Sequence, residues 1–343
     1  MKVVFADEQL LHDPQTFFSS GAQVPHPEKP ERATRLLQGA LDAGLERQAP
    51  AELGLDYVLD LHSERYLEFL QNIHPRWLRI DGGSHEVVPG ISPDPRSGGY
   101  PKSATGQAGV HQWDLSCPIN ENTWTSVLWS AHSAAQAAAN VLSGDAASYS
   151  LCRPPGHHAT RDFAAGFCYL GNTAIAASAL REKYTRVAVV DVDVHHGNGT
   201  QDLFYDRSDV FTVSLHADPV RYYPFHWGYA VETGEGDGEG HNLNVPLPRG
   251  TKDDDYLVAL DDALSTLTEF EPEALVIALG LDAYVGDPFQ GFAITTEGFG
   301  RIASLLGELK LPSVLVQEGG YLSEALGGNL TRFLEGFQNA HGG

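Results

Sequence analysis

At 343 residues, with 42% hydrophobic and 10% aromatic residues, the chain has enough apolar surface for a core of its own, and α/β folds of this length occur undivided. Its charge is one-sided: 45 Asp and Glu against 22 Lys and Arg leave −23, which repels nucleic acid and anionic membranes and favours small cationic ligands, although an acidic surface also simply keeps a protein dissolved. Cys117, Cys152 and Cys168 make neither a disulfide framework nor a CxxC pair, the first residues lack a secretory apolar core, and no apolar run nears the ~20 residues of a membrane span, so a reducing, cytoplasmic setting is expected.

In chain order, residues 2–5 read as a short strand. A loop leads to His26-Pro27-Glu28-Lys29-Pro30-Glu31-Arg32, where two prolines force an extended approach before a helical pattern (Leu36, Leu37, Ala40, Leu41, Leu45). Residues 63–73 form a second helical pattern, with Tyr66, Phe69 and Leu70 on one face. From His74 to about Asn122 periodicity disappears under Gly82-Gly83, Pro89-Gly90, Pro93, Pro95, Gly98-Gly99 and Pro101. Such a stretch is unusual within a domain, and Trp77, Ile91, Tyr100 and Trp113 make it more apolar than a disordered linker needs, so an ordered insertion over about 74–122 is expected. Thr123 is placed as the cap of an alanine-rich helix over 124–142, ended by Gly144. A strand over 147–151, a helix over 172–184, a strand from Val187 and another over 210–215 come next. Residues 222–248 read as a long loop, 253–267 and 296–309 as helices, Ala274–Leu279 and Ser313–Gln317 as strands, and a helix closes the chain. Strands alternating with helices at this spacing predict an α/β fold around a parallel sheet.

Four of these strands finish in polar or glycine-rich elements, at Leu151, Val190, Leu279 and Gln317. Loops leaving the same edge of a parallel sheet converge, so these elements can meet. The first is Arg153-Pro154-Pro155-Gly156-His157-His158, a histidine pair held by a Pro-Pro-Gly turn; taken by itself it could be structural. The second follows the apolar run Val187–Val190 as Asp191-Val-Asp193-Val-His195-His196-Gly197-Asn198. On a continuing strand, Asp191, Asp193 and His195 would share a face and His196 would point away and pack. The third is Asp282. With Asp193 and His195 it makes a one-histidine, two-carboxylate set, which leaves a coordination position open as in catalytic zinc sites. Such a metal activates water and polarises a carbonyl. Asp191 and Asn198 are placed to fix histidine tautomers. The fourth is Glu318-Gly319-Gly320-Tyr321, whose glycines would let a phenol approach the metal and face an oxyanion; an ordinary strand-to-helix turn is the alternative. Together these residues suit hydrolysis of an amide or ester. No phosphate-binding glycine loop and no GxSxG elbow is present.

These motifs, with Gly166-Phe167-Cys168-Tyr169 and Gly286-Asp287-Pro288, resemble those of the zinc-dependent histone deacetylase superfamily along nearly the whole chain. Within it, the 74–122 insertion, Thr123-Trp124, Tyr223-Pro224 and Gly228-Tyr229-Ala230 are most similar to bacterial acetylpolyamine amidohydrolases. The resemblance implies a single domain of the arginase-deacetylase α/β type with an eight-stranded parallel sheet. It implies zinc on Asp193, His195 and Asp282, a general base and acid pair at His157 and His158 backed by Asp191 and Asn198, and Tyr321 on the acetyl carbonyl. Gly166, Phe167 and Tyr223 would line a narrow tunnel; plain core packing is the other reading of the two aromatics. A structural potassium ion is implied near the backbone of Asp191, Asp193, His195, Ser214 and Leu215, and Arg32 would line a channel for released acetate. A homodimer through the insertion is implied as well.

The sequence departs from the polyamine pattern at two places, and at the first, His26-Pro27-Glu28-Lys29-Pro30-Glu31-Arg32, it is nearer to the general deacetylase pattern. Where those enzymes carry acidic residues that greet distal ammonium groups, this chain has Thr105 and Ser116, with Asp114 nearby. Deacetylation of small cationic acetylamines is the first expectation, and deacylation of acetyl-lysine or of another small amide the second. A two-manganese ureohydrolase would need a carboxylate where Tyr284 stands, and a ligand-binding member without activity fits poorly with a complete set of reactive residues.

Overall fold

The computed structural model describes residues 1–93 and 99–342; Pro95 and Gly98, counted above among the breakers, lie outside the described residues. Ten strands run in the order β1 (Lys2–Val4), β2 (Thr16–Ser19), β3 (Ala22–Pro25), β4 (Glu46–Gln48), β5 (Ala147–Ser150), β6 (Val187–Asp191), β7 (Val210–Ala217), β8 (Asn242–Leu247), β9 (Ala274–Leu279) and β10 (Ser313–Gln317). Among the described residues ten α-helices accompany them: α1 (Pro30–Asp42), α2 (Asp56–Leu59), α3 (Glu64–Trp77), α4 (Ala104–His111), α5 (Thr123–Leu142), α6 (Asn172–Leu180), α7 (Asn198–Phe204), α8 (Asp253–Glu269), α9 (Thr296–Glu308) and α10 (Leu326–Gly342).

Eight strands form one all-parallel sheet in the order β4-β1-β5-β10-β9-β6-β7-β8. Its central strands are apolar without alternation because both faces are covered. Side-chain parity assigns each residue to a layer. In β9, Leu275, Ile277 and Leu279 join Leu36 of α1, Leu260 of α8, Ile302 of α9 and Phe333 of α10. Val276 of the same strand joins Leu70 of α3, Ala131 of α5 and Ile175 of α6 on the opposite face. The result is a three-layer α/β/α sandwich. Four neighbouring strands, β5-β10-β9-β6, are the ones whose carboxyl ends carry the polar elements, and their register aligns those ends: Ser150 with Val316, Gln317 with Leu279, and Ala278 with Asp191.

Several elements differ from expectation. The 222–248 loop contains β8, an edge strand bonded to β7 alone; its sequence is polar and holds Pro246, as edge strands tolerate, so it carries little apolar signal. β4 is a three-residue edge strand, too short to read. The first loop holds the hairpin β2–β3, whose turn residues Ser20 and Gly21 both have positive φ (49° and 83°), as a two-residue turn matched to strand twist requires. The 74–122 stretch is ordered where described. Helix α3 runs on to Trp77, α4 is capped by the Ser103 hydroxyl, Val87 bridges Ile119, and Trp77, Val87, Ala108 and Ile119 are buried in the core layer that holds α3, α5 and α6. Thr123 is the first residue of α5 rather than its cap; its hydroxyl accepts the Asn120 N–H at 2.8 Å instead of a helical one.

Candidate active site

Strand β6 ends at Asp191, so the same-face expectation for Asp191, Asp193 and His195 does not hold; side-chain bonds to backbone set their positions instead. The Asp191 carboxylate accepts the Asp193 N–H at 3.0 Å, and the Asp193 carboxylate accepts the His195 N–H at 2.8 Å. Each acid thus closes a turn two residues on and aims the next residue, a habit of Asp in loops. His196 is buried and packs away from the cluster, its Nε2–H shared between Gln201 and Asn244 at 2.9 and 3.1 Å.

Asp282, from the loop after β9, anchors on the Val194 N–H at 3.1 Å. Its other oxygen and Asp193 Oδ1 each lie 3.1 Å from His195 Nδ1. Ligand atoms of the three residues all lie within 4.8 Å of one another, and both carboxylates are fully buried. Two buried acids side by side require a positive charge. The same demand holds His195 at about 9: burial alone would lower it, and the hydrogen bonds and charges of Asp193 and Asp282 outweigh burial. One imidazole nitrogen and two carboxylates converging from three directions suit a zinc-like divalent ion with an open position. Gly319, in the loop after β10, completes the cradle. Its N–H donates to Asp193 Oδ2 at 2.8 Å, and a Cβ there would stand 2.1 Å from Asp282 Oδ2, so the close approach requires glycine.

The histidine pair sits beside this cluster, with ring centroids 4.0 Å apart. His157 Nδ1 lies 2.9 Å from Asp191 Oδ2, and His158 Nδ1 lies 2.7 Å from Asn198 Oδ1. The different partners separate the two rings. Burial would lower His157, but Asp193 and Asp191 outweigh it and raise it to about 10. His158 is pushed well below the usual imidazole range by burial and then by the charges of His157 and His195. Paired groups driven apart in this way mark acid and base roles.

Glu318 fixes the pair from beneath. Its Oε2 accepts the N–H of Gly156 at 2.6 Å and of His157 at 3.0 Å, and its Oε1 accepts the Thr173 hydroxyl at 2.6 Å. His157, Cys168 and Glu318 also lie close enough to hold a metal. Glu318 is committed to those donors, however, and burial raises the Cys168 thiol far above its usual range, so the trio makes a poor second metal site.

Tyr321 is buried, with its backbone N–H on Asp287 at 3.0 Å and the Arg32 guanidinium 4.7 Å from its ring. Arg32 is itself buried and donates to the carbonyls of Gly320 and Glu318 at 2.5 and 2.8 Å. Phe289 stacks edge-on at 4.8 Å from Tyr321 and 5.4 Å from His195. A cavity of about 570 Å³ opens onto His158, His195 and Tyr321, walled by Phe167, Tyr223, Phe289 and Trp113. Gly166 lies against the His158 ring at φ 54°, where a Cβ would come within 2.2 Å, and Phe167 follows in the same left-handed region at φ 70°. Thr105 lies exposed on α4 outside this cavity, whereas Ser116 and Asp114 line it. Phe289 and the roles of Asp287 and Glu318 escaped the sequence reading. The last two lay inside recognised motifs, and Phe289 follows Pro288 directly, but an isolated aromatic in a loop gives no directional signal.

The histone deacetylase domain pattern matches residues 26–337. The chain belongs to the histone deacetylase family. An acetylpolyamine amidohydrolase of Burkholderia pseudomallei is 45% identical over 339 residues, covering 98% of each chain. Acetylpolyamine amidohydrolase 1 of Pseudomonas aeruginosa is 41% identical, covering 99% of each. A crystal structure of the acetylpolyamine aminohydrolase from B. pseudomallei superposes with a TM-score of 0.96 over 99% of both chains. The eight-stranded parallel sheet is therefore the family's, and its curated members with these names are amide hydrolases. Among the described residues of this member, no helix is long and apolar enough to cross a membrane.

Proposed function

We propose that this family member is a zinc-dependent amidohydrolase that removes acetyl groups from small acetylated amines, acetylpolyamines foremost. The observation that carries the reading is the His195 ring facing the buried carboxylates of Asp193 and Asp282 at 3.1 Å, with two histidines and a tyrosine around the same cavity. The names of the relatives at 45% and 41% identity support the substrate class. Asp193, His195 and Asp282 hold the metal. When bound, zinc supplies Lewis acidity toward the acetyl carbonyl and water.

The remaining work falls to the chain's own residues. His158, neutral and within reach of the cavity, takes the proton of the attacking water. His157, kept charged by Asp193 and Asp191, stabilises negative charge and prevents proton loss to its neighbour. The same proton then leaves on the departing amine. Tyr321 donates its hydroxyl to the oxygen that gains charge, a contribution of about 3–4 kcal/mol in comparable sites. Gly166, Phe167 and Tyr223 enclose the methylene stem, and Asn198 holds the tautomer of His158.

The reading extends to a structural potassium ion by the backbone of Asp191, Asp193, His195, Ser214 and Leu215; the pairing of Asp191 with Ser214 across β6 and β7 favours it. It also includes a homodimer formed through the 74–122 insertion of a single domain spanning 1–343, and a cytoplasmic location. Rates on acetylputrescine, acetylcadaverine and an acetyl-lysine peptide, measured on zinc-loaded protein alongside its sedimentation, test these statements. Faster turnover of the peptide by a monomer would overturn the small-amine assignment.

A further inference from the structure

The charge at the mouth of the cavity runs against the charge of the chain. Arg221 and Arg249 both line the cavity, and both are exposed. In a protein of net charge −23, at least nine arginines pair with carboxylates, yet these two do not. The Arg221 guanidinium has no hydrogen-bonded or ionic partner among the described residues. Arg249 gives one N–H to the Gln290 carbonyl at 3.1 Å and lies over the Tyr222 ring at 5.4 Å, which leaves most of its donors free. Tyr222 in turn stacks on His195 at 5.0 Å, so the Arg249 guanidinium is held one ring away from the metal cluster.

The only carboxylate among the described lining residues is Asp114, and it is spent internally. One oxygen accepts the Tyr223 hydroxyl at 2.6 Å and the Gly166 N–H at 3.2 Å; the other accepts the Ser116 N–H and hydroxyl at 2.9 and 2.5 Å. The described lining therefore offers a substrate's distal end two guanidiniums and no unpaired carboxylate, so ends other than ammonium are accommodated besides those of acetylpolyamines. A carboxylate would meet donors of suitable chemistry, since guanidinium forks match carboxylate geometry.

We infer that Arg221 and Arg249 form an anion-accepting subsite at the mouth, and that the substrate class includes acetylated ω-amino acids whose carboxylate reaches it. The inference rests on the deacetylase reading for its chemistry: water's hydroxyl joins the acyl carbon, the amide C–N bond breaks, and the proton goes to the leaving amine, giving acetate and the free amino acid. The two contacts of about 5 Å from Arg249 through Tyr222 to His195 put the guanidinium within about 10 Å of the Asp193, His195 and Asp282 cluster, which an acyl-amine with about five methylenes spans from acyl carbon to carboxylate oxygen at roughly 1.25 Å per bond over about eight bonds.

A matched trio tests this: 6-acetamidohexanoate, N-acetylhexylamine and N-acetyl-1,6-diaminohexane, assayed on the zinc-loaded full chain. The carboxylate should exceed the neutral amide roughly fivefold in kcat/KM, as expected for partly exposed guanidinium pairs, through KM, and the advantage should shrink with salt. In R221E/R249E the carboxylate-to-neutral ratio should fall below one, and R221M alone should lower it partway. A ratio of one or less in the natural chain, or a ratio unmoved by the substitutions, overturns the subsite. If none of the three is cleaved, it is the deacetylase reading that fails. Calorimetric binding of 6-acetamidohexanoate and N-acetylhexylamine then decides the subsite: a preference for the carboxylate that the double variant loses supports it, and equal binding overturns it.

Discussion

Replacing Glu318 by alanine should cost far more than replacing it by glutamine, and the difference can be worked from three hydrogen bonds. The carboxylate receives two backbone N–H groups, of Gly156 and His157, on one oxygen and the Thr173 hydroxyl on the other. Alanine strands two fully buried N–H donors, each worth about 1–3 kcal/mol when unpaired, so E318A should lose roughly 4 kcal/mol once the missing side-chain volume is included. Glutamine can present its carbonyl to both N–H groups and its amide to the threonine oxygen, which also accepts. Burial already raises Glu318 to about 7, against the pull of His157, so a neutral group is tolerated there. E318Q should therefore lose about 1 kcal/mol. Urea unfolding followed by tryptophan fluorescence measures both, and the deacetylation rate reports on His157, whose backbone Glu318 holds. An E318A chain within about 1 kcal/mol of the natural one, or a glutamine variant as damaged as the alanine one, would refute the accounting.

Y321F should lower kcat by about a few hundredfold while zinc content per chain stays the same, because the hydroxyl has no hydrogen-bond partner among the described residues; elemental analysis and initial rates check both halves. Adding zinc to metal-stripped protein should raise its stability by about 4 kcal/mol at a thousandfold excess over Kd, and D282N, which breaks the acid pair, should abolish that rise in a thermal melt. Acid should destabilise the fold between pH 6.5 and 4. His62 and His26 are both lowered to about 4, chiefly by burial, and each ring accepts a backbone N–H, from Gly171 and Glu28 respectively. Their folded values lie below the unfolded one, so the unfolded chain binds more protons in this window and stability is lost as pH falls through it. The two together should remove about 4 kcal/mol between pH 7.5 and 5, and H62N should lower the slope by about one proton; a flat profile would refute it.

Much of the centre was legible because its strands are buried on both faces. Ala274–Leu279 and Ser313–Gln317 coincide with β9 and β10, and the residues just past them, Asp282 and Glu318 to Tyr321, stand where the sheet edge puts them. The edges were not legible. β8 and β4 are held by pairing with one neighbour rather than by apolar pattern, and a turn with positive φ at Ser20 leaves only Gly21 as a visible sign. At the site, the residues singled out from sequence come together, while the strand geometry expected for them does not hold. Asp191, Asp193 and His195 do converge on one region, but through successive acid-to-backbone turns after the strand has ended, which no two-residue periodicity describes. Arg249 and Phe289 stayed invisible because their place depends on tertiary contacts with Tyr222 and Tyr321.

The alignment of β5, β10, β9 and β6 has a consequence for the history of the molecule as well as its chemistry. Asp282 meets His195 across 87 residues, Gly319 meets Asp193 across 126, and Glu318 meets Gly156 across 162. Contacts of such long range form late, after the entropy of closing those loops has been overcome. The cluster of Asp193, His195 and Asp282 with its Gly319 donor is therefore complete only once nearly the whole chain has been made. A chain cut short before Gly319 would carry Asp193, His195 and Asp282 and still lack the backbone donor that holds Asp193.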